Sequence, residues 1–205
     1  MKNVTHYNSA KITGRMVGGL TPCANPGKTM LYKATLAVER LSGTFDYIPV
    51  VVHEKLAETL PDLRDKTVEI TGQISTCNQI VNERSRLIVD LFAFSINVVK
   101  DCVHNNDVVL RGVVCREPSF RCTPKGREIC DVMLAVNRPN GRSAYVPCVV
   151  WGAVARRMRT VHVGEPVEVR GRFQSRSYEK KYEDGTVEIR VAYEVSVSRV
   201  VVEVE

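Results

Sequence analysis

LAVERLSGTFDYIPVVV (36–52) and LAVNRPNGRSAYVPCVV (134–150) lie 98 residues apart and agree without a gap at nine positions: Leu, Ala, Val, Arg, Gly, Tyr, Pro, Val and Val. The same shift lays Gly14 on Gly112, and one inserted residue brings VEITGQI (68–74) onto VEVRGRF (167–173). Repetition over such a span marks a duplicated structural unit. The chain therefore divides into two copies, residues 1–100 and 104–205, joined through KDCVHNN (100–106), whose Asn and Asp residues read as a short linker.

Within each copy the hydrophobic period is mainly that of strands. Copy two offers VVLRGVV (108–114), EICDVMLAVNR (128–138), SAYVPCVVWG (143–152), EPVEVRGRFQSRSYE (165–179) and TVEIRVAYEVSVSRV (186–200). All are rich in Val, alternate in part, and are bounded by Gly, Pro or Asn. GAVARRMRTV (152–161) reads as helix, as does its counterpart HEKLAETLPD (53–62), with Leu56 and Leu60 at i, i+4. Three strands, a short helix and two strands is the order of an OB-fold, a five-stranded Greek-key barrel. The predicted fold class is all-β with one short helix per repeat, built as two tandem OB-folds.

Length and composition agree with two small cores: 205 residues, 44% hydrophobic and 25% charged. The 29 Lys and Arg against 23 Asp and Glu leave +6, which permits a polyanionic partner without requiring one. The longest apolar run, AYVPCVVWGAVA (144–155), ends at Arg156 and Arg157, short of the roughly 20 residues a bilayer needs. MKNVTHYNSA has no apolar signal core, so a cytoplasmic protein without membrane attachment is expected. Seven cysteines at 23, 77, 102, 115, 122, 130 and 148 include no CxxC pair. The four histidines, at 6, 53, 104 and 162, are dispersed. No metal site, phosphate loop or nucleophile elbow is readable, so no cofactor, no catalytic residue and no enzyme activity are expected.

Strand faces carry the functional signal. In strand three of copy two, Val146, Cys148 and Val150 point one way and Tyr145, Pro147, Val149 and Trp151 the other. In strand four, Val167, Val169 and Phe173 form the apolar face, opposite Arg170, Arg172, Gln174, Arg176 and Tyr178. Guanidinium groups followed by tyrosine make a poor core and a good polyanion track. Arginine adds phosphate contact and stacking, and aromatic rings stack bases of any identity. Lys180 and Tyr182 continue the track into the hairpin SRSYEKKYEDG (175–185). Composition alone leaves Trp151 equally open to a core role. The Arg156, Arg157 and Arg159 cluster on the helix reads as a solvated face.

Copy one differs. Tyr47 keeps the Tyr145 position, but His53 stands where copy two has Trp151, and strand four presents Glu69, Thr71, Gln73, Ser75 and Cys77. Lys33, Arg40, Arg84 and Arg86 remain as candidate phosphate contacts. Each half nevertheless carries net +3, from 12 minus 9 and 17 minus 14 charged residues, so the asymmetry is one of placement. Copy two is expected to hold most of the affinity, with copy one a softer surface or a dimerisation partner.

VVLRGVVCREPSFRCTPKGREICDVMLAV (108–136), YVPCVVWG (145–152) and VEVRGRFQSRSYE (167–179) together resemble the bacterial single-stranded DNA-binding protein family. The resemblance implies single-stranded DNA binding in replication, recombination or repair. It favours stacking at Tyr145 and Trp151; joined to the strand faces, this gives the candidate site Tyr145, Trp151, Arg170, Arg172, Arg176, Tyr178, Lys180 and Tyr182, with Tyr47 and His53 from copy one. Two barrels in one chain are similar to a fused pair of the family's subunits, which implies a homodimer with four OB-folds. Copy one departs from the pattern, having GGLTPCANPGK (18–28) where copy two has the REPSFRCTPKG motif. The chain stops at SVSRVVVEVE (196–205), so the acidic recruiting tail of replicative members is not expected. That points to a specialised member, accessory, plasmid- or phage-associated, or the primosomal relative. The rival reading is an OB-fold interaction module that binds a protein partner or structured RNA, since Trp, Tyr and Arg also dominate protein interfaces.

Overall fold

Val-rich alternation resolves into eleven strands among the described residues, which in this computed structural model are 5–23, 29–81, 84–100, 104–139, 141–182 and 184–202. Copy one contributes β1 (Tyr7–Cys23), β2 (Leu31–Glu39), β3 (Phe45–His53), α1 (Glu54–Ala57), β4 (Thr67–Val81) and β5 (Arg84–Val98). Copy two contributes β6 (Asn106–Val114), β7 (Ser119–Cys122), β8 (Glu128–Asn137), β9 (Ser143–Trp151), α2 (Gly152–Met158), β10 (Pro166–Lys181) and β11 (Val187–Val202). The predicted order holds in both copies. β7 is an addition: four residues that pair with β8 from Ser119↔Asp131 to Cys122↔Glu128, too short to show a period.

The first helix is shorter than its sequence counterpart suggests. His53 Nδ1 accepts from the Lys55 backbone N–H at 3.2 Å to start it. It then tightens into i→i+3 bonds at Thr59 and Leu60. Pro61 disfavours helical geometry at the residue before it. The copy-two helix runs longer and buries Ala155 and Met158.

Each copy closes on itself. β1 pairs with β2 and β4, β3 runs parallel to β5, and β6, β8, β9, β11 and β10 repeat the circuit. Inward residues such as Ile12, Leu36, Ile48, Ile70 and Leu91 fill one barrel, and Leu110, Leu134, Val146 and Phe173 the other, all with 0% exposure. The repeated glycines have a steric cause. A Cβ on Gly72 would sit 2.1 Å from the Phe92 carbonyl oxygen, and one on Gly171 2.2 Å from that of Ser196. At both places the register slips, leaving Phe94 and Ser198 without a partner on the facing strand.

The barrels join through β1 and β6, antiparallel from Tyr7↔Arg111 to Ile12↔Asn106, into one eleven-stranded sheet. Ala10 faces Val108, its own counterpart in the 98-residue register, so the ladder maps onto itself under a pseudo-two-fold axis through that pair. Two asparagines obey the same symmetry. Asn8 brackets Ile74, donating to its carbonyl at 2.8 Å and accepting from its N–H at 2.9 Å. Asn106 does the same at Phe173, at 2.8 Å each way.

Candidate nucleic-acid interface

The outward face of β9 holds Tyr145, Pro147, Val149 and Trp151, as alternation predicts. Tyr145 is half exposed, and its backbone N–H donates to Thr76 Oγ1 of copy one at 2.9 Å. Trp151 is half-buried, with its indole N–H donating to Ser196 Oγ at 3.1 Å, which fixes the plane of the ring. The ring borders two open clefts. One, of 420 Å³, is shared with Asp107, Arg170, Arg172 and Ser198; the other, of 510 Å³, with Arg40, Arg127, Arg172 and Arg176. Trp151 is thus a surface residue beside guanidinium groups rather than a core residue. Arg127, from the turn before β8, is the cleft-lining cation that alternation along β9 and β10 had no means of finding.

The arginines of β10 differ in how far their charge is engaged. Arg172 is exposed and, among the described residues, meets only Gln174 Oε1, at 3.5 Å. Arg170 forks onto Asp107 at 2.7 and 2.9 Å, and that pairing raises its already high pKa. Arg176 straddles Glu194 at 3.3 and 3.4 Å and also lies 5.7 Å from the Tyr178 ring centre. Gln174 departs from the exposed track read from the sequence. It keeps its side of the strand, but Glu194 closes over it, with Gln174 Nε2 donating to Glu194 Oε1 at 3.0 Å.

In the β10–β11 hairpin, Tyr178 is 37% exposed. Tyr182 is tied down: its hydroxyl donates to Glu188 and accepts from Arg190 at 2.6 Å. Lys180 Nζ stands 5.3 Å from the Tyr182 ring centre. The Tyr182 hydroxyl, then Arg190, hold the Glu188 carboxyl at about 2. Arg86 of copy one reaches the same carboxylate at 3.5 Å.

Copy one's candidates are placed differently. Tyr47 is 54% exposed, whereas His53 is half-buried with one ring nitrogen used as the helix cap. Arg40 is already partly engaged. It forks onto buried Asp46 and donates to the Ser175 carbonyl of copy two at 2.8 Å, tying Nε and Nη2 to the junction between barrels. Arg86 is likewise engaged at Glu188. The side chain of Arg84 lies outside the described residues. Burial pushes the Asp46 carboxyl up, but Arg40 and the Ser175 N–H outweigh it and hold the group below the usual carboxylate range.

A central groove of 630 Å³ lies between the copies, lined in part by Pro49, Pro147, Asp90, Tyr178 and Glu194. Burial pushes the Asp90 carboxyl up, with Lys33 opposing. Its ionised form is disfavoured in the fold, so this group lowers stability as pH rises above the ordinary carboxylate value. Asp90→Asn is expected to raise the thermal midpoint at neutral pH and to leave it unchanged well below pH 4. Thermal melts at the two pH values check this; a lower midpoint at neutral pH would refute it.

Among the described residues no three His, Cys, Asp or Glu side chains group as a metal site, and no helix is long and apolar enough to cross a membrane. The family model described as "Single-strand binding protein family" matches residues 105–202, the whole of the second barrel. Single-stranded DNA-binding protein B of Bacillus subtilis is 35% identical over 83 residues, which is 37% of this chain and 74% of that protein. The chain belongs to the single-strand binding protein family. The single-stranded DNA-binding protein of Oceanobacillus iheyensis, another member, is 36% identical over 81 residues, or 36% of this chain and 50% of that one. The chain spans about half the length of the curated relatives first matched. The wild-type single-stranded DNA binding protein from Thermus aquaticus superposes with a TM-score of 0.77 at 19% identity, covering 98% of this chain and 94% of that one. At that identity the likeness concerns the fold, and it extends over both barrels of this family member.

Proposed function

We propose that the protein binds single-stranded DNA without strong sequence preference, as a non-enzymatic cytoplasmic protein of replication, recombination or repair. One observation carries this: the only tryptophan lies against two open clefts, with Arg172 lining both. Bases would stack on Tyr145, Trp151 and Tyr178, while phosphates follow Arg172, Arg176 and Lys180, with Arg170 released from Asp107 on contact. Tyr182, Tyr47 and His53 stand at the margins of the track. The family membership of the second barrel supports the same polymer. Residues 1–100 and 104–205 act as the two folding units, and a homodimer would present four barrels.

Titrating oligo-dT of increasing length while following Trp151 fluorescence, with mass measurement of the free protein, tests this. Quenching should saturate at a fixed length, about 4–16 nucleotides per barrel. Affinity should fall with salt at about −0.7 in log–log slope per phosphate neutralised, and Arg172→Ala should reduce that slope by about 0.7. A fluorescence that no oligonucleotide changes would instead favour a protein-binding module.

A further inference from the structure

We propose that copy one carries a second stacking platform for the same single strand, moved from β3 to β5 and built from Phe92 and Phe94. The inference rests on the single-stranded DNA reading above. Its basis is an exchange across two neighbouring strands. In copy two, Trp151 ends β9 and packs on the small Ser196 of β11, where Val149 pairs with Ser196. In copy one the equivalent pair is Val51 with Phe92, so Phe92 occupies the Ser196 place while His53 occupies that of Trp151. Copy one thus places its larger ring on the fifth strand and the smaller imidazole at the end of the third, and the surface patch keeps a bulky aromatic.

Phe94 completes the platform. The register slip at Gly72 leaves it unpaired, as the slip at Gly171 leaves Ser198, and there it is 57% exposed. The two rings meet edge to face, with centroids 5.9 Å apart and planes at 67°. A phenylalanine exposed to that degree on a bulge, with a second ring beside it, presents a π-face that every base can use. Lys33 and Gln73 lie in the same cross-strand row as Phe92, on its two sides, and supply a cation and an amide for the sugar–phosphate chain. β5, which bears this patch, and β9, which ends at Trp151, belong to one continuous sheet, and in this reading one DNA strand runs over both.

The test uses oligo-dT carrying 5-iodouracil, long enough for both barrels, irradiated on the intact protein and mapped by peptide mass. Crosslinks to Phe92 or Phe94 are expected alongside those in copy two. Phe94→Leu, which keeps an apolar side chain at an exposed site, should weaken long-oligonucleotide binding about fivefold or more, and Phe94→Tyr should restore it. Crosslinks confined to copy two, with Phe94→Leu binding unchanged and Trp151 still quenched, would overturn the platform and leave the parent reading standing. Absence of both quenching and crosslinks would overturn both.

Discussion

Replacing Trp151 and Tyr178 together by alanine is expected to weaken single-strand binding by about 2–6 kcal/mol, at one stacked base each and about 1–3 kcal/mol per base. That is roughly thirtyfold at the least. The loss should fall on affinity rather than on folding. Trp151 makes one side-chain hydrogen bond and borders open clefts, and Tyr178 is 37% exposed, whereas the large core residue of β10, Phe173, is fully buried. Since the variant lacks the only tryptophan, anisotropy of a labelled oligo-dT is the suitable measurement, with the thermal midpoint as the folding control. Undiminished affinity would remove these two side chains from the site.

The second large effect is on stability. Asp46 is 1% exposed and accepts four hydrogen bonds: two from the Arg40 fork, one from the Ser175 N–H at 2.7 Å and one from the Ser175 hydroxyl at 3.0 Å. Asp46→Ala strands a half-buried guanidinium and a backbone donor, and should cost about 3–5 kcal/mol in urea unfolding. Arg40→Leu with Asp46→Leu should recover much of that, because the uncompensated charge is gone. The stabilisation also has a pH signature. The folded carboxyl titrates below its unfolded value, so its contribution is complete above about pH 4 and is lost as pH falls through the folded pKa. Equal stability of Asp46→Ala and the native protein at pH 7 would refute this account. Copy two offers a natural comparison. Its counterpart of Asp46 is Ala144, and Arg138, which aligns with Arg40, reaches the Thr76 carbonyl at 3.1 Å. Burial, with Arg142 adding to it, lowers the pKa of that guanidinium.

Much of the architecture is readable because the repeat preserves what backbone closeness demands. Gly14, Gly72, Gly112 and Gly171 recur since a carbonyl oxygen occupies the space of any Cβ. Strand faces are readable for the same local reason: alternation fixes which side of β9 bears Trp151. What alternation does not fix is what lies on top. Gln174 sits on the predicted side yet is buried, because Glu194 arrives from a strand twenty residues on. Arg40 aligns with Arg138 as though both were surface cations, but its acceptor Ser175 is 135 residues away. Phe92 and Phe94 fall out of the 98-residue register because the copy-two hairpin is longer. The offset between copies grows from 98 residues in β3 to 104 in β5, hiding their equivalence to Ser196 and Ser198.

The β1–β6 ladder bears on whether the copies can live apart. Residues Tyr7–Ile12 and Asn106–Arg111 satisfy each other's peptide groups. A separated copy would present that row of donors and acceptors as a raw sheet edge, a template for pairing with any passing strand. Each barrel is therefore the edge guard of the other. Such mutual protection restrains Asn8, Ala10 and Ile12 far more tightly than it restrains the outer face. A duplicated chain built this way can let one face drift in chemistry while the seam between its halves stays fixed.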